Sequence, residues 1–352
     1  MIISDTFLPI VLEKIIAHNA SPILVGGCVR DAFLHLEVKD YDIEVFGLDS
    51  LDELEDILEE FGDVNLVGKS FGILKLSTPD MEYDFSFPRL ETKTEDGHRG
   101  FDVTVDGDLD FETASKRRDF TINAIGYDYK NKTYLDPFGG IKHLKEKILK
   151  HIDDDTFCED ALRVYRAVQF VARFEFTLDI QTHKLCKKIV QTDEFRNLSK
   201  ERIYEEYKKL FLKSSRPSIG LNILGELGIE YIDEDIQKFI DEIVLKSSPS
   251  REKLVLIFFL LDELFIKISN DKKLLKEIQS LQHFKIPRIF QSKINQNDTF
   301  VEHLIVKNHM RNNLPKPLYM GKDLIKMGYT PNEKFKTILD TLYKMQLNGE
   351  IC

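Results

Sequence analysis

The segment at residues 24–47, LVGGCVRDAFLHLEVKDYDIEVFG, restricts the fold more than any other part of the chain. A short apolar run ends in Gly26-Gly27, a stretch carrying Arg30 follows, and Asp40 and Asp42 lead into a second apolar run. That order requires strand, glycine turn, helix and acidic strand in succession. On a strand, residues two apart point to the same face, so Asp40 and Asp42 present two carboxylates side by side. Carboxylates held that close repel unless a cation lies between them. Oxygen ligands of this kind suit Mg²⁺, which takes one or two carboxylates together with substrate phosphates. Gly26-Gly27 lets backbone N–H groups approach a phosphate, and Arg30 can reach back to a triphosphate as a charge-assisted donor. A phosphate cradle beside a metal-holding pair implies nucleotidyl transfer.

Three further groups extend the pattern. Asp84 lies inside the apolar run MEYDFSFPR, where an unpaired charge is costly. It is the choice for a third carboxylate, and Glu82, on the same face by alternation, is the fallback. In KRRDFTINAIGYD, residues 116–128, three basic residues run into an acid and then an apolar face. Some of that cluster must face inward or pair with Asp119. The arrangement favours phosphate or ribose contact by Arg118, with Asp119 and Asn123 as organising hydrogen-bond partners. In EDALRVYRAVQF, residues 159–170, Asp160, Arg163 and Arg166 recur every three residues and share one helical face. They make either an intrahelical ion pair or a set of acceptors and donors that matches the edge of a base.

The organisation is that of a small mixed head and a long helical remainder. PILVGG, YDIEVF, GILKLS and EYDFSF read as strands, and Ser50 with Glu53 marks a capped amphipathic helix in SLDELEDILEEF. After Asp136-Pro137 the strand signal disappears. Residues 140–150, 155–173, 179–191, 199–212, 216–228, 233–246, 250–267 and 271–282 carry apolar residues at helical spacing. Residues 313–337, with three prolines, read as loop before a last helix at 333–347. The domains expected are 1–137, 138–212 and 213–352, in an α+β chain whose mixed-sheet head precedes an elongated all-helical neck, body and tail.

The chain of 352 residues has a net charge of −11 that is unevenly spread. Residues 1–137 hold 13 Lys and Arg against 29 Asp and Glu, whereas 138–216 hold 17 against 13 and 283–352 hold 11 against 6. The later basic segments could face a polyanion. No apolar stretch is long enough for a membrane span, and the amino terminus makes a poor signal peptide. Four scattered cysteines without a CxxC pair point to a reducing cytoplasm.

In order along the chain, Gly-Gly-x-Val-Arg-Asp, Asp-x-Asp, Arg-Arg-Asp-x-x-x-Asn-Ala, DPFGG and Glu-Asp-x-x-Arg resemble the class II tRNA nucleotidyltransferase family, the CCA-adding enzymes and their bacterial poly(A) polymerase relatives. The likeness runs over residues 20–212, and the tail from PLYMGKDLIKMGY onward resembles the carboxyl-terminal region of one branch. The resemblance implies a polymerase-beta-like head and the transfer of nucleotides from CTP and ATP to a tRNA 3′ end. It implies two Mg²⁺ ions on Asp40 and Asp42, triphosphate binding by Gly26, Gly27 and Arg30, and nucleotide contact by Arg118. Asp160 and Arg163, with Arg166 nearby, would read the base.

Within the family, full CCA addition competes with CC-only addition, A-only addition and poly(A) synthesis. The polar loop within residues 89–103 argues against CC-only activity. The absence of a basic pair in LVGKSFGILKLS favours tRNA repair over poly(A) synthesis. A third arginine found in several branches is replaced here by Gln169. No His-Asp pair marks a phosphohydrolase domain, and His98, His143 and His151 are expected at the surface. A catalytically silent RNA-binding protein and a small-molecule nucleotidyltransferase are the readings from other classes. Monomer and homodimer both remain open.

Overall fold

The computed structural model describes residues 5–67, 72–78, 81–93, 101–247, 250–288 and 299–351. The polar loop and the glycine-lysine turn used above to separate family activities fall largely outside these residues, as does His98. The chain divides into two compact units. The first comprises Met1–Glu206 with Ile219–Tyr231, and the second comprises Tyr207–Ser218 with Ile232–Cys352.

The first unit is built on a seven-stranded sheet. Its strands are β1 (Ser21–Val25), β2 (Tyr41–Phe46), β3 (Val64–Val67), β4 (Ile73–Ser77), β5 (Glu82–Ser86), β8 (Gly126–Asp128) and β9 (Thr133–Leu135). Their order across the sheet is β3-β4-β5-β2-β1-β8-β9. Only β2 and β5 run parallel; every other neighbouring pair is antiparallel. Strands β6 (Arg89–Lys93) and β7 (Phe101–Val105) form a separate hairpin.

Alternation along these strands separates folding from chemistry. Leu24, Ile43, Phe85 and Leu74 lie in register across four strands and are buried. This is the face covered by helix α1 (Leu8–Ala17), where Phe7 sits 5.7 Å from the Tyr83 ring. On the opposite face, Lys75, Asp84 and Asp42 lie in register on β4, β5 and β2, with Glu44 two residues beyond Asp42. At Ile23, Val25 and Phe46 that face is apolar and packs with Ala114 and Phe111 of helix α4 (Phe111–Ser115).

Helix α2 (Gly27–Phe33) leaves the glycine turn, and α3 (Leu51–Glu59) follows β2. Ser50 Oγ accepts from Glu53 N at 3.2 Å, as the capping signature requires. The Glu53 carboxylate, however, reaches Asp49 N at 3.3 Å and not the cap residue itself. Helix α5 (Gly140–Glu146) starts at the DPFGG segment, where Asp136 accepts from Gly140 N at 2.6 Å and Ile141 N at 3.0 Å. A side chain on Gly140 would collide with the Thr121 carbonyl. That motif is therefore a structural joint.

The change of sequence character at residue 137 falls inside the first unit. Thr121 N donates to Lys150 O at 2.9 Å, and Phe120 packs edge-on against Phe157 and Phe170 at 5.6 and 5.7 Å. Strand character also persists beyond that point, since β10 (Ile148–Leu149) pairs in parallel with β11 (Thr177–Leu178). The helix expected over 155–173 is two, α6 (Asp154–Cys158) and α7 (Arg163–Phe174), broken around Asp160. Helices α8 (Ile180–Ile189), α9 (Asp193–Arg196) and α10 (Lys200–Lys213) continue the chain, and α11 (Pro217–Glu226) follows.

His151 is a correction to the expected surface placement. It is 4% exposed, with Thr182 Oγ1 2.7 Å from Nδ1 and Asp154 Oδ1 2.6 Å from Nε2. His143 is half-buried against Thr121 Oγ1 at 2.9 Å. Burial pushes its pKa down, with Lys150 adding in the same direction.

The second unit is helical, with α12 (Glu234–Lys246), α13 (Arg251–Leu260), α14 (Asp262–Ile268), α15 (Lys272–His283) and α16 (Phe300–Asn312) around a core that includes Phe258, Phe265, Leu274 and Ile278. Helix α16 opens with a complete capping box from Thr299 and Glu302. A short helix, α17 (Gly321–Lys326), interrupts the stretch expected to be loop, ahead of α18 (Lys334–Leu347). Among the described residues no helix is long and apolar enough to cross a membrane.

Candidate functional site

A cleft of about 490 Å³ in the first unit gathers most of the sequence-selected residues, but Asp40 and Asp84 are not among those lining it. Gly26, Gly27, Arg30 and Asp42 border it from the β1–α2–β2 segment, and Arg118, Asp119 and Asn123 from the segment after α4. Asp160, Arg163 and Arg166 border it from the neck. Arg89, Arg117, Arg202 and Phe170 line it as well and were not singled out by the sequence.

Gly26 has φ +68° and ψ −128°, a conformation that residues with a Cβ avoid. A Cβ there would also stand 3.0 Å from Arg118 Nη1 and 3.4 Å from Asp42 Oδ2. The glycine is therefore required twice, once by the backbone and once by the approach of two charged groups. Gly26→Ala should cost roughly 1–3 kcal/mol of stability from backbone strain. It should also displace Arg118, and a thermal melt together with nucleotide binding checks both effects.

Asp42 faces Asp84 directly across the parallel β2–β5 pair. Asp40 precedes β2 in an exposed segment. Crowding by the surrounding protein pushes the Asp42 pKa up, although the residue itself is exposed. Arg118 opposes this shift, while Asp84, Asp40 and Glu44 reinforce it. Although the Asp42 residue keeps solvent-accessible surface, the protein crowds it from several sides. Asp84 Oδ1 is buried and accepts no hydrogen bond among the described residues, with Lys75 Nζ 3.6 Å away. Glu82 lies further out, 60% exposed and 2.9 Å from Lys75.

Several arginines of the cleft are held by carboxylates, although the pairs differ from those expected. Arg117 and Arg118 both donate to Glu44 Oε1, at 2.7 and 2.8 Å, and not to Asp119. Asp119 Oδ2 accepts from Arg166 at 2.6 Å, while its Oδ1 accepts from Phe120 N at 2.8 Å and Asn123 Nδ2 at 2.9 Å. Burial would raise the Asp119 pKa, but Arg166, Asn123 and Arg163 hold it below the usual carboxylate range. Arg30 is 5% exposed. It donates to Asp31 at 2.7 Å and Asn123 Oδ1 at 2.6 Å, with its guanidinium over the Phe170 and Phe174 rings. It thus ties α2 to the RRD segment and to α7.

Arg163 and Arg166 share a face of α7, but Asp160 lies in the turn ahead of it. Its Oδ1 accepts from Leu162 N at 3.1 Å and its Oδ2 from Arg202 Nη2 at 2.8 Å. Arg163 donates to the carbonyls of Thr156 at 2.5 Å and Arg117 at 2.6 Å. An Asp160–Arg163 ion pair is therefore not the arrangement adopted. Gln169 is 2% exposed and is not among the residues lining the cleft.

One sequence signal could have found Glu44. It is a charge inside an apolar run, the same argument that selected Asp84. Arg202, more than forty residues from Asp160, carried no such signal.

The geometry agrees with comparisons to known proteins. Residues 23–150 match the family described as the Poly A polymerase head domain. Residues 175–232 match the one described as the probable RNA and SrmB-binding site of polymerase A. The chain is 36% identical over 208 residues to the multifunctional CCA protein of Aliivibrio salmonicida, covering 58% of this chain and 48% of the relative. It is 37% identical over 204 residues to that of Xylella fastidiosa, covering 57% and 47%.

The fold matches the Bacillus stearothermophilus CCA-adding enzyme in complex with CTP, with a TM-score of 0.71 at 22% identity over 98% of this chain and 93% of that one. It also matches the Thermotoga maritima CCA-adding enzyme complexed with tRNA, with a TM-score of 0.64 at 19% identity over 97% and 91%. A polymerase head domain over residues 23–150 and an RNA-binding segment over residues 175–232 are thus what the chain is similar to, in line with the resemblance its motifs carry. It spans about half the length of the curated relatives it matches.

Proposed function

We propose that the protein adds nucleotides from CTP and ATP to the 3′ end of tRNA, releasing pyrophosphate. The observation that carries this reading is a cleft that sets Asp42, the strand neighbour of Asp84, against a wall of arginines that includes Arg118, Arg163 and Arg166. A carboxylate edge suits a divalent cation, and an arginine wall suits a polyphosphate and a base edge. The names of the relatives in Aliivibrio salmonicida and Xylella fastidiosa support the CCA reading.

The donor set fits Mg²⁺. Asp42 carries a raised pKa among neighbouring carboxylates, and Asp84 keeps a buried oxygen without a hydrogen bond. Among the described residues no three such side chains form a complete cage. That suits an ion which keeps positions for water and phosphate. Asp40 and Asp42 would hold two Mg²⁺ ions. When bound, Mg²⁺ lowers the pKa of an attacking hydroxyl and stabilises departing oxygens.

The RNA 3′-hydroxyl attacks the α-phosphate in line, forming an oxygen–phosphorus bond as the bond to the bridging oxygen of pyrophosphate breaks. Asp84 accepts the hydroxyl proton. Gly26 and Gly27 leave room for the phosphates, and Arg118 donates to them. Arg30, Asp119 and Asn123 fix the wall from behind. Asp160 and Arg163 offer an acceptor and donors to the base edge.

Residues 1–137 supply the chemistry, 138–212 the base selection, and 213–352 the tRNA grip through phosphate and shape contacts. The setting we propose is the cytoplasm. Incubation of tRNA lacking its 3′ end with CTP, ATP or both tests the reading. Addition of two C residues from CTP alone, and of a terminal A only when ATP is also present, is expected. A long homopolymeric A product, or transfer to a small alcohol without tRNA, would overturn it.

A further inference from the structure

Glu44 is a buried carboxylate on the polar face of the sheet to which no motif assigns a role. It is 1% exposed, stands two residues after Asp42 on β2, and shares that strand's polar face. Both Arg117 and Arg118 donate to the same oxygen, Oε1, at 2.7 and 2.8 Å. Oε2 is buried and accepts no hydrogen bond among the described residues. Two cations on consecutive residues repel, and the Glu44 charge between them offsets that repulsion where both border the cleft. Arg118 reaches past Glu44, so that Nη1 and Asp42 Oδ2 border the same point above Gly26. Removing the Glu44 charge leaves Arg118 beside Asp42, which borders that same point.

We propose that Glu44 is a positioning residue that keeps Arg118 beside the Gly26 turn and off Asp42, leaving Asp42 open to a divalent cation and Arg118 available to a nucleotide's phosphates. The proposal rests on the nucleotidyl-transfer reading of the cleft. The two oxygens of Glu44 are used unequally: Oε1 accepts from both guanidiniums, while Oε2 accepts no hydrogen bond among the described residues. Arg118 is also held by Asn123 O at 3.4 Å, so the Glu44 contact and that carbonyl together define its position.

The test is direct binding without turnover. Mn²⁺ binding is followed by electron paramagnetic resonance and CTP binding by calorimetry, on the full chain without RNA. Glu44→Gln keeps the shape and removes the charge. It is expected to weaken Mn²⁺ binding by about tenfold, the lower end for a group behind a metal ligand, as Arg118 turns onto Asp42. Glu44→Asp restores the charge at shorter reach and should lose no more than about a third of that effect on a logarithmic scale.

The double variant Glu44→Gln/Arg118→Gln should recover Mn²⁺ binding while CTP binding stays weak. A role confined to folding predicts the opposite, an additive loss. Wild-type binding of both ligands by a folded Glu44→Gln protein would overturn the proposal. So would a double variant that recovers nothing. Should Glu44→Gln not fold, wild-type binding by Glu44→Asp with no shift in either ligand would overturn it equally. Wild-type protein that binds Mn²⁺ but no CTP would sink the nucleotidyl-transfer reading, while the Mn²⁺ arm would still report on Glu44.

Discussion

Asp42→Asn is expected to abolish nucleotide incorporation while leaving the metal-free protein at least as stable as the wild type at neutral pH. Even groups one step behind a metal ligand are worth roughly 10- to 100-fold, so losing a proposed ligand should lower kcat by more than about a hundredfold. The stability half of the expectation follows from the sign of the pKa shift. The Asp42 pKa is raised in the folded protein, first by the protein crowding it and then by Asp84, Asp40 and Glu44 against the pull of Arg118, and because the residue is exposed the effect on stability is small. A raised carboxylate favours the fold only while it is protonated. That advantage is complete below the unfolded value of about 3.9 and is lost as pH rises through the folded value.

At pH 7 the ionised group is therefore a burden on the fold, which asparagine removes. Melting curves in chelator should place the variant at or above the wild type at pH 7, with the gap closing toward pH 4. Undiminished incorporation would overturn the metal assignment. A large drop in melting temperature at pH 7 would overturn the electrostatic account of the site.

Asp119→Ala is expected to have the largest effect on stability among the cleft residues. Asp119 is 7% exposed and joins Arg166, Asn123 and the Phe120 backbone. Breaking a buried pair from one side leaves an uncompensated charge and costs about 3–5 kcal/mol. Arg166 is 32% exposed at its side chain, so water can screen part of it. The lower end, about 3 kcal/mol, is the expectation, a shift of roughly 6–12 °C for a unit of this size.

The pH dependence runs opposite to that of Asp42. Asp119 is held below the usual range against the effect of burial, chiefly by Arg166. Its stabilisation is present above the unfolded value of about 3.9 and is lost as pH falls through the folded value. The difference between wild type and variant should therefore narrow on acidification below about pH 4. A constant difference across that range would show that packing, not charge, holds Asp119 in place.

Residue patterns made much of the molecule legible because they report local geometry. Ser50 caps α3 with its hydroxyl, as spacing alone required. The strands of the head follow from period-two alternation, and the amphipathic helices from period 3.6. The break between α6 and α7 was missed because residues 155–173 keep helical spacing throughout, while Asp160 turns its oxygens to the Leu162 N–H and to Arg202 instead of continuing the helix. His151 was missed for a related reason. Nothing in the order of residues announces that Thr182 and Asp154 converge on its ring and make burial tolerable.

Sequence by itself determined the type of chemistry. The glycine turn and the Asp40–Asp42 spacing are local constraints, and the backbone of one strand and one turn is enough to express them. Tertiary structure decided which charges meet. The choice between Asp84 and Glu82 as the neighbour of Asp42 depends on the register of the parallel β2–β5 pair, which no single strand encodes. The pairing of Arg117 and Arg118 with Glu44, of Arg166 with Asp119, and of Arg202 with Asp160 depends on segments separated by 42 to 74 residues. Charged side chains find partners through distance and desolvation in three dimensions, and linear order carries almost no information about either.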